Sequence, residues 1–556
     1  MNKLDPVSLG IYWDRLVSIT DEILAALVRT SFSTNVRESY DLSCVIFDAE
    51  GRSLAQGTYS VPSFTGTAPL TIRHMLNRFP SDTLRPGDVV ITNDPWLGTG
   101  HLFDINVMRP VFKGARLVGF TMSITHLPDI GGRGFSATAS EVYEEGLRLP
   151  ICKLATEGRP NEELLELIRT NVRVSEQVIG DLTANMTCNE VGGRLLLEFM
   201  NEYEIDDLKP VADAVIEGTA KAMREKIARM PDGVYENEMK VEAAEEPVIL
   251  ACNVEIDGQI ICFDFTGTDP AVRAGINVPL CYTRAFAVYS VKCITIPSIP
   301  NNEGSVAPIS VFAPEGCILN AQPPSPTGGR HIIGHFVTPL VFGALEKAVP
   351  ELIQADSGML NLVNFQGTHR DGQGVSSIFF ASGGFGALDG LDGAAVTPSP
   401  SNMTGTPIEV WENLTGTTVT RKELLADSGG PGEYRGGLGQ ETVVKNDSGH
   451  PMTISTLAGR TEFPPRGVRG GRCGGLRRYW INDGEVHPKG RYVLKPGEEL
   501  RMVEAGGGGY GDPKRRPVEK VIEDVRKGFV TVEGARRDYG VVVDLISGKA
   551  VRPRAK

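Results

Sequence analysis

Nowhere in the 556 residues do two of the nine cysteines stand as Cys-x-x-Cys, and their number is odd. That spacing suits reduced thiols, mostly packed as small apolar side chains, in a cytoplasmic protein, and the lack of thiolates beside the histidine motifs speaks against a closed structural zinc. Basic charge is also short: 56 Lys and Arg face 69 Asp and Glu, a formal charge of -13. Polyanion binders need clustered Lys and Arg to neutralise phosphates, so no nucleic-acid partner is expected. Short groups such as Arg515-Arg516 and Arg536-Arg537-Asp538 read as solvated surface. No hydrophobic run reaches membrane-spanning length without a charge, Gly or Pro, and Met1-Asn2-Lys3-Leu4-Asp5-Pro6 carries no apolar leader, so neither membrane insertion nor secretion is expected. Phosphate loops are missing too. No glycine group runs into Lys-Ser or Lys-Thr, and no dinucleotide fingerprint links a strand to a helix, so this chain is not expected to bind ATP itself.

What is present is a chain that buries much of itself, with 41% hydrophobic and only 22% charged residues. Its length exceeds what one core usually serves. Asp5-Pro6 predicts a capped helix reaching about Arg29. Residues 42–47 and 53–57, separated by Asp48-Ala49-Glu50-Gly51-Arg52, predict a hairpin, and a helix is expected around 69–79. Strands 89–92, 107–112 and 116–124 follow, the last two joined by Lys113-Gly114. Residues 161–200 and 207–230 read as helical, and β character dominates from 235 onward. The expected fold is α+β and multidomain, with β-rich N- and C-terminal regions and an intervening helical segment. The expected segments are 1–205 with the site, a helical connection 206–235, a glycine-rich β-containing domain 236–513 and an extension 514–556. The 64 glycines are numerous but too irregular for a repeat, and they imply tight loops packed on substrate, partner or one another.

Among eight histidines, two open near-identical tetrads, His101-Leu102-Phe103-Asp104 and His126-Leu127-Pro128-Asp129. The tetrads sit at the outer ends of the 107–112 and 116–124 strand pair, so an antiparallel hairpin brings them together. His101, Asp104 and His126, joined by Asp41 or Asp129, form a mixed imidazole and carboxylate set. Such donors suit zinc first, then manganese or iron, with a position left open for chemistry. The bland alternative is two surface turns in which Asp caps and His bonds locally.

Other residues carry paired readings. Asp94, in Asn93-Asp94-Pro95, either orients a ligand or makes an Asx turn. Gly131 and Gly132 let backbone approach a bound group, although Asp-x-Gly-Gly alone is weak. Glu141, Glu144 and Glu145 offer a general base or an exposed acidic face. His331 and His335, four apart, share a helix face without a zincin glutamate, which favours packing or substrate contact over a second metal.

Collectively these motifs resemble the hydantoinase B/oxoprolinase family. The stretches that carry the likeness are Asn93 to Pro95 with Gly100 to Asp104, His126 to Gly132, Tyr143-Glu144-Glu145-Gly146-Leu147-Arg148-Leu149-Pro150, Asp264-Phe265-Thr266-Gly267-Thr268, Asp427 to Gly439 and Gly506 to Pro513. They keep their order along nearly the whole chain. The resemblance implies a divalent metal on Asp41, His101, Asp104 and His126, with Asp129 as a nearby catalytic or orienting group. It also implies a separate A-type subunit that uses ATP and Mg, phosphorylating an unreactive amide or enol oxygen before attack at the activated carbon. Family hydrolases commonly continue after Asp-x-Gly-Gly with a Pro-Gly-Ser-Met-Pro type loop. Here the chain reads Arg133-Gly134-Phe135-Ser136-Ala137-Thr138, which puts hydantoin specificity in doubt and leaves the ligands intact.

The expected function is therefore the metal-bearing B-type subunit of an ATP-dependent cyclic amide hydrolase acting on a hydantoin, lactam or oxoproline-like ring. Asp129 or Glu145 would manage protons, and Asp94, Gly131, Gly132, Ser136, His331 and His335 would line the site. The expected assembly is a hetero-oligomer holding two or more copies of this chain. A subunit of an ATP-dependent ketone carboxylase and a noncatalytic scaffold are the alternatives.

Overall fold

The computed structural model describes residues 5–544 and 549–552. The chain divides into two compact units that interleave in sequence. One holds residues 1–235, 251–338 and 376–378; the other holds 236–250, 339–375 and 379–556. This partition differs from the sequential segments expected from periodicity.

The first unit is organised by a seven-stranded sheet. Its strands are β1 (Leu42–Asp48), β2 (Ser53–Gln56), β3 (Val89–Thr92), β4 (Asp104–Lys113), β5 (Arg116–His126), β6 (Cys152–Thr156) and β7 (Arg159–Pro160), in the order β2-β1-β5-β4-β3-β6-β7. Every neighbouring pair is antiparallel. Six helices share this part of the chain: α1 (Pro6–Thr30), α2 (Thr34–Arg37), α3 (Phe64–Arg78), α4 (Glu162–Asn171), α5 (Ser175–Glu202) and α6 (Lys209–Ile227). Helices also recur at Leu280–Thr295, Val337–Leu345, Ile408–Thr415 and Val518–Arg526. The architecture is thus a mixed α/β one, and the expectation of a single helical segment between β-rich ends is corrected. The physical reason lies in α1 and α5, whose apolar faces bury β1 and β5 in one core with Leu16, Ile23, Ile46, Leu196 and Phe199.

Local signals explain the element ends. Asp5 accepts hydrogen bonds from Val7 N at 2.9 Å and Ser8 N at 3.3 Å, and Pro6 opens α1 without losing an intrahelical bond. The helix expected around 69–79 begins earlier, at Phe64, and keeps Pro69 inside it. Burial of Phe64, Ala68, Ile72 and Met75 along one face outweighs the lost N–H. Asn185 and Asn189 of α5 reach into the sheet: Asn189 donates to Ser123 Oγ at 2.7 Å and Val107 O at 3.0 Å, and Asn185 donates to Thr125 Oγ1 at 2.9 Å. Strand side chains alternate, so Asp104, Ile124 and His126 lie on the face away from α5.

The second unit is built around strands Leu360–Thr368, Gly374–Ser382, Met452–Leu457, Gln440–Asn446 and Glu499–Val503, with Phe365, Trp411, Ile454 and Met502 in its core. Its glycines pack backbone on backbone. A Cβ on Gly436 would stand 2.0 Å from Gly507 O, and one on Gly384 would stand 1.9 Å from Gly437 O. Backbone hydrogen bonds run through the same contacts, from Gly430 N to Gly507 O at 2.8 Å and from Gly507 N to Gly437 O at 2.9 Å. These glycine groups therefore serve one another. Among the described residues no helix is long and apolar enough to cross a membrane.

Candidate metal centre

The β4–β5 hairpin sets Asp104 directly opposite His126. A bulge between Val111 and Phe112 makes this pairing: Phe112 pairs with Leu117, whereas Val111 pairs with Gly119. Without the extra residue Asp104 would oppose Thr125, whose side chain is on the other face. On the far side of β5, Leu42 of β1 pairs with Thr125 and the Asp41 carbonyl accepts the His126 N–H at 3.1 Å. Asp41, His126 and Asp104 thus stand in a row across three strands at one end of the sheet. His101 comes from the turn before β4.

One donor atom from each of His101, Asp104 and His126 lies within 4.8 Å of the others, and all three residues are buried. His101 Nε2 is 2.9 Å from Asp104 Oδ1 without hydrogen-bond alignment, and among the described residues neither imidazole Nε2 has a hydrogen-bond partner. The other ring nitrogens are committed. His101 Nδ1 donates to Gly328 O at 3.0 Å, and His126 Nδ1 donates to Leu127 O at 3.0 Å, with the Asn35 amide 3.3 Å from it. A nitrogen that donates to a carbonyl carries the proton, so each Nε2 presents a bare lone pair. Burial first, and then the Arg330 charge, holds His101 below the usual histidine range; burial and the neighbouring His101 bring His126 down to about 3. Two neutral imidazoles with unpartnered lone pairs beside a carboxylate are donors that fit a divalent transition metal.

Asp104 stays charged. Burial opposes its ionisation, but His101 and the Arg330 guanidinium hold its carboxyl well below the usual range. Arg330 is itself buried, donating from Nη2 to Asp104 Oδ2 at 2.7 Å and from Nε to Thr99 O at 2.8 Å. Its guanidinium lies 4.1 Å from the Tyr282 ring centroid, and its stem passes where a Cβ on Gly100 would be, 2.7 Å away. Asp41 is buried outside the 4.8 Å group. Burial, reinforced by the Asp104 charge, raises its pKa well above the ordinary value.

Aromatic rings wall the cluster. Phe103 stacks on His126 at 5.3 Å, and Phe135 sets its ring 5.9 Å from His101, 5.1 Å from His126 and 5.7 Å from His331. Phe135 therefore seals the side from which the loop 131–136 approaches.

The remaining expected residues occupy distinct places. Glu145 is buried: Oε1 accepts Gly328 N at 2.6 Å, Oε2 has no hydrogen-bond partner among the described residues, and burial pushes its pKa up to about 8. Glu144 instead joins Ser140 and Arg133, and Glu141 is exposed. Asp129 is bound by Arg173, whose Nη1 donates at 2.7 Å and whose backbone N–H takes the other oxygen. Asp94 caps a turn, accepting from Trp96 N at 3.0 Å and pairing with Arg148 at 2.6 Å. Gly131 and Gly132 face backbone, since a Cβ on either would stand 2.5 Å from Asn171 O or Glu144 O. Ser136 Oγ meets Thr138 Oγ1 at 2.9 Å, and the Tyr282 hydroxyl lies 3.3 Å from His335 Nε2. Sequence reasoning passed over Arg330, Asn35 and Gly328. A signal existed for Arg330, the one Asp, Glu, Lys or Arg between Glu315 and Glu346.

A family profile described as hydantoinase B/oxoprolinase matches residues 5–513. The chain belongs to that family. Caprolactamase subunit beta of Pseudomonas jessenii is 29% identical over 98% of this chain and 97% of its own length. A crystal structure of the ATP-dependent caprolactamase from that organism aligns at a TM-score of 0.89, with 28% identity and 98% of both chains covered. A nucleotide-free acetone carboxylase structure shares the fold, at TM-score 0.88 with 18% identity over 99% of this chain and 81% of that one. Membership in a family of hydantoinase B/oxoprolinase-type enzymes, together with the His/His/Asp cluster, marks this chain as an enzyme.

Proposed function

We propose that this hydantoinase B/oxoprolinase-family chain is the metal-bearing B-type subunit of an ATP-dependent cyclic amide hydrolase. Its substrate class is a hydantoin, lactam or oxoproline-like ring, and a separate A-type subunit in the same hetero-oligomer binds ATP and Mg. The single observation that carries the reading is the pair of unpartnered imidazole nitrogens beside Asp104. The full-length match to a caprolactamase beta subunit favours a ring amide. A cytoplasmic setting, where ATP is supplied, goes with it.

His101, Asp104 and His126 would hold the metal, with Asp41 as fourth ligand, and zinc, manganese or iron fits the donors. When bound, such an ion supplies a Lewis acid. Arg330 keeps Asp104 ionised and fixed. Glu145, with Oε1 accepting from Gly328 and its pKa near 8, carries a proton on Oε2 at neutral pH and serves as the proton donor to a leaving nitrogen. Asp129 acts as a positioning residue through Arg173, which fastens the loop that carries Phe135. Phe135 narrows the space beside the imidazoles.

The test is ATP turnover by the purified complex of this chain with its A-type partner, screened over hydantoins, lactams and 5-oxoproline. Ring opening coupled to ATP hydrolysis without bicarbonate is the expected result. Turnover only with a ketone and bicarbonate would overturn it in favour of a carboxylase, and full activity after His101→Ala would reduce the chain to a scaffold.

A further inference from the structure

The second unit contains a cavity of about 330 Å³, and none of the residues assigned to the metal centre lines it. Glu242 and Glu246 line it from one stretch of chain, Thr461 and Glu462 from a second, and His487 and Lys489 from a third. Lys489 is 6% exposed, and no described residue places an acceptor within hydrogen-bonding or ion-pairing distance of its Nζ. Buried ammonium groups are ordinarily paired. The backbone around it is clamped: Lys489 N donates to His487 Nδ1 at 3.1 Å, Pro488 O accepts from Ala458 N at 3.1 Å, and Gly490 O accepts from Thr456 N at 3.0 Å. The ammonium is therefore presented to the cavity by a fixed loop.

Glu242, 2% exposed, lines the same space and interacts electrostatically with Lys489. One oxygen accepts from Thr461 N, from Thr461 Oγ1 at 3.3 Å and from Glu462 N at 3.5 Å; the other has no hydrogen-bond partner among the described residues. Burial brings the Lys489 pKa down to about 8, while the charges of Glu242 and Glu462 pull it back up, so the amine remains largely protonated at neutral pH. The wall as a whole is acidic. Five glutamates and three basic residues line it, and one of the three, Arg477, is already neutralised by Glu504. A multiply charged anion would be repelled by that wall, and a bare cation by Lys489. A molecule carrying one charge of each sign suits both.

We propose that this cavity binds a small zwitterion, with its carboxylate on Lys489 and its ammonium toward Glu462 and Glu242. Calorimetric titration of the intact protein with glycine, β-alanine and 4-aminobutyrate, beside butyrate and butylamine, tests it. At least one amino acid is expected to bind ten times more tightly than either singly charged probe. Lys489→Met, checked for folding by circular dichroism, should abolish that binding. Glu462→Gln, a change at an exposed position, should weaken it at least fivefold. The proposal fails if none of the amino acids binds, if butyrate or butylamine binds equally well, or if Lys489→Met binds like the unsubstituted protein.

Discussion

Glu145 and His101 are fastened to the same residue: Gly328 donates its N–H to Glu145 Oε1 at 2.6 Å and accepts at its carbonyl from His101 Nδ1 at 3.0 Å. One short segment thereby sets both the tautomer of an imidazole and the place of a buried carboxyl. A Cβ at position 328 would stand 3.0 Å from that Oε1, so glycine is what lets the three groups meet.

Glu145 makes stability depend on pH. Its pKa rises from the ordinary 4.5 to about 8, so below about 4.5 its contribution is fully present, and it is lost as pH climbs through 8. Between those values the unfolded chain releases a proton that the folded chain keeps, with a slope of up to about 1.4 kcal/mol per pH unit. Glu145→Gln should flatten that slope while keeping an acceptor for Gly328. Urea midpoints of both proteins at pH 5.5, 6.5 and 7.5, chosen to span roughly the middle of this window, will show it. Parallel pH dependences in the two proteins would sink the idea.

Removing one imidazole should empty the proposed metal centre while the fold persists, because backbone pairing of β4 with β5 carries Asp104 and His126. His101→Ala and His126→Ala should lose bound transition metal after dialysis, read by elemental analysis, and activity should fall at least about a thousandfold if the metal carries the transition-state charge. Asp41→Asn leaves the triad in place and should weaken metal affinity by about 10–100-fold. Full metal content in all three variants would remove the centre from the enzyme.

Arg330 is expected to matter for stability before it matters for chemistry. Its substitution by Met leaves the Asp104 carboxylate buried without its guanidinium, a change that costs about 3–5 kcal/mol in comparable pairs. Combining Arg330→Met with Asp104→Asn should restore part of the loss. Differential scanning calorimetry of the two singles and the double measures this, and strictly additive losses would contradict the pairing.

The glycine contacts of the second unit invite a contrasting pair of alanines. Gly436→Ala, with its Cβ 2.0 Å from a carbonyl oxygen, should abolish soluble folded protein. Gly218→Ala, inside α6 with open space around it, should instead stabilise by about 0.5–1 kcal/mol. Thermal melts separate the two, and a stable Gly436→Ala protein would show that the backbone contacts can relax.

Much of the centre was legible because its signals are local. Two His-x-x-Asp tetrads flank strands joined by Lys113-Gly114, and that pattern alone folds them together. The face on which they meet was not legible, since it depends on one extra residue at Val111 and Phe112, and apolar alternation does not announce a bulge. The α1 start was readable from Asp5-Pro6, whereas Pro69 misplaced the next helix start because tertiary burial overrode a local breaker. Arg330 and Gly328 come from far along the chain, and no periodicity links a distant loop to a hairpin end. Interleaved units leave no local mark either, as residues 376–378 join the first unit from within a strand of the second.

Asp104 and the arginine that neutralises it are 226 residues apart. At about 5–20 residues per second, a ribosome finishes the carboxylate roughly ten to forty-five seconds before its counter-ion. A hairpin that forms within that interval holds the Asp104 carboxylate without its guanidinium partner. An ion captured by the proposed centre in that interval would lack the charge balance that Arg330 gives Asp104, which places loading after the Gly328-Gly329-Arg330 segment has been made.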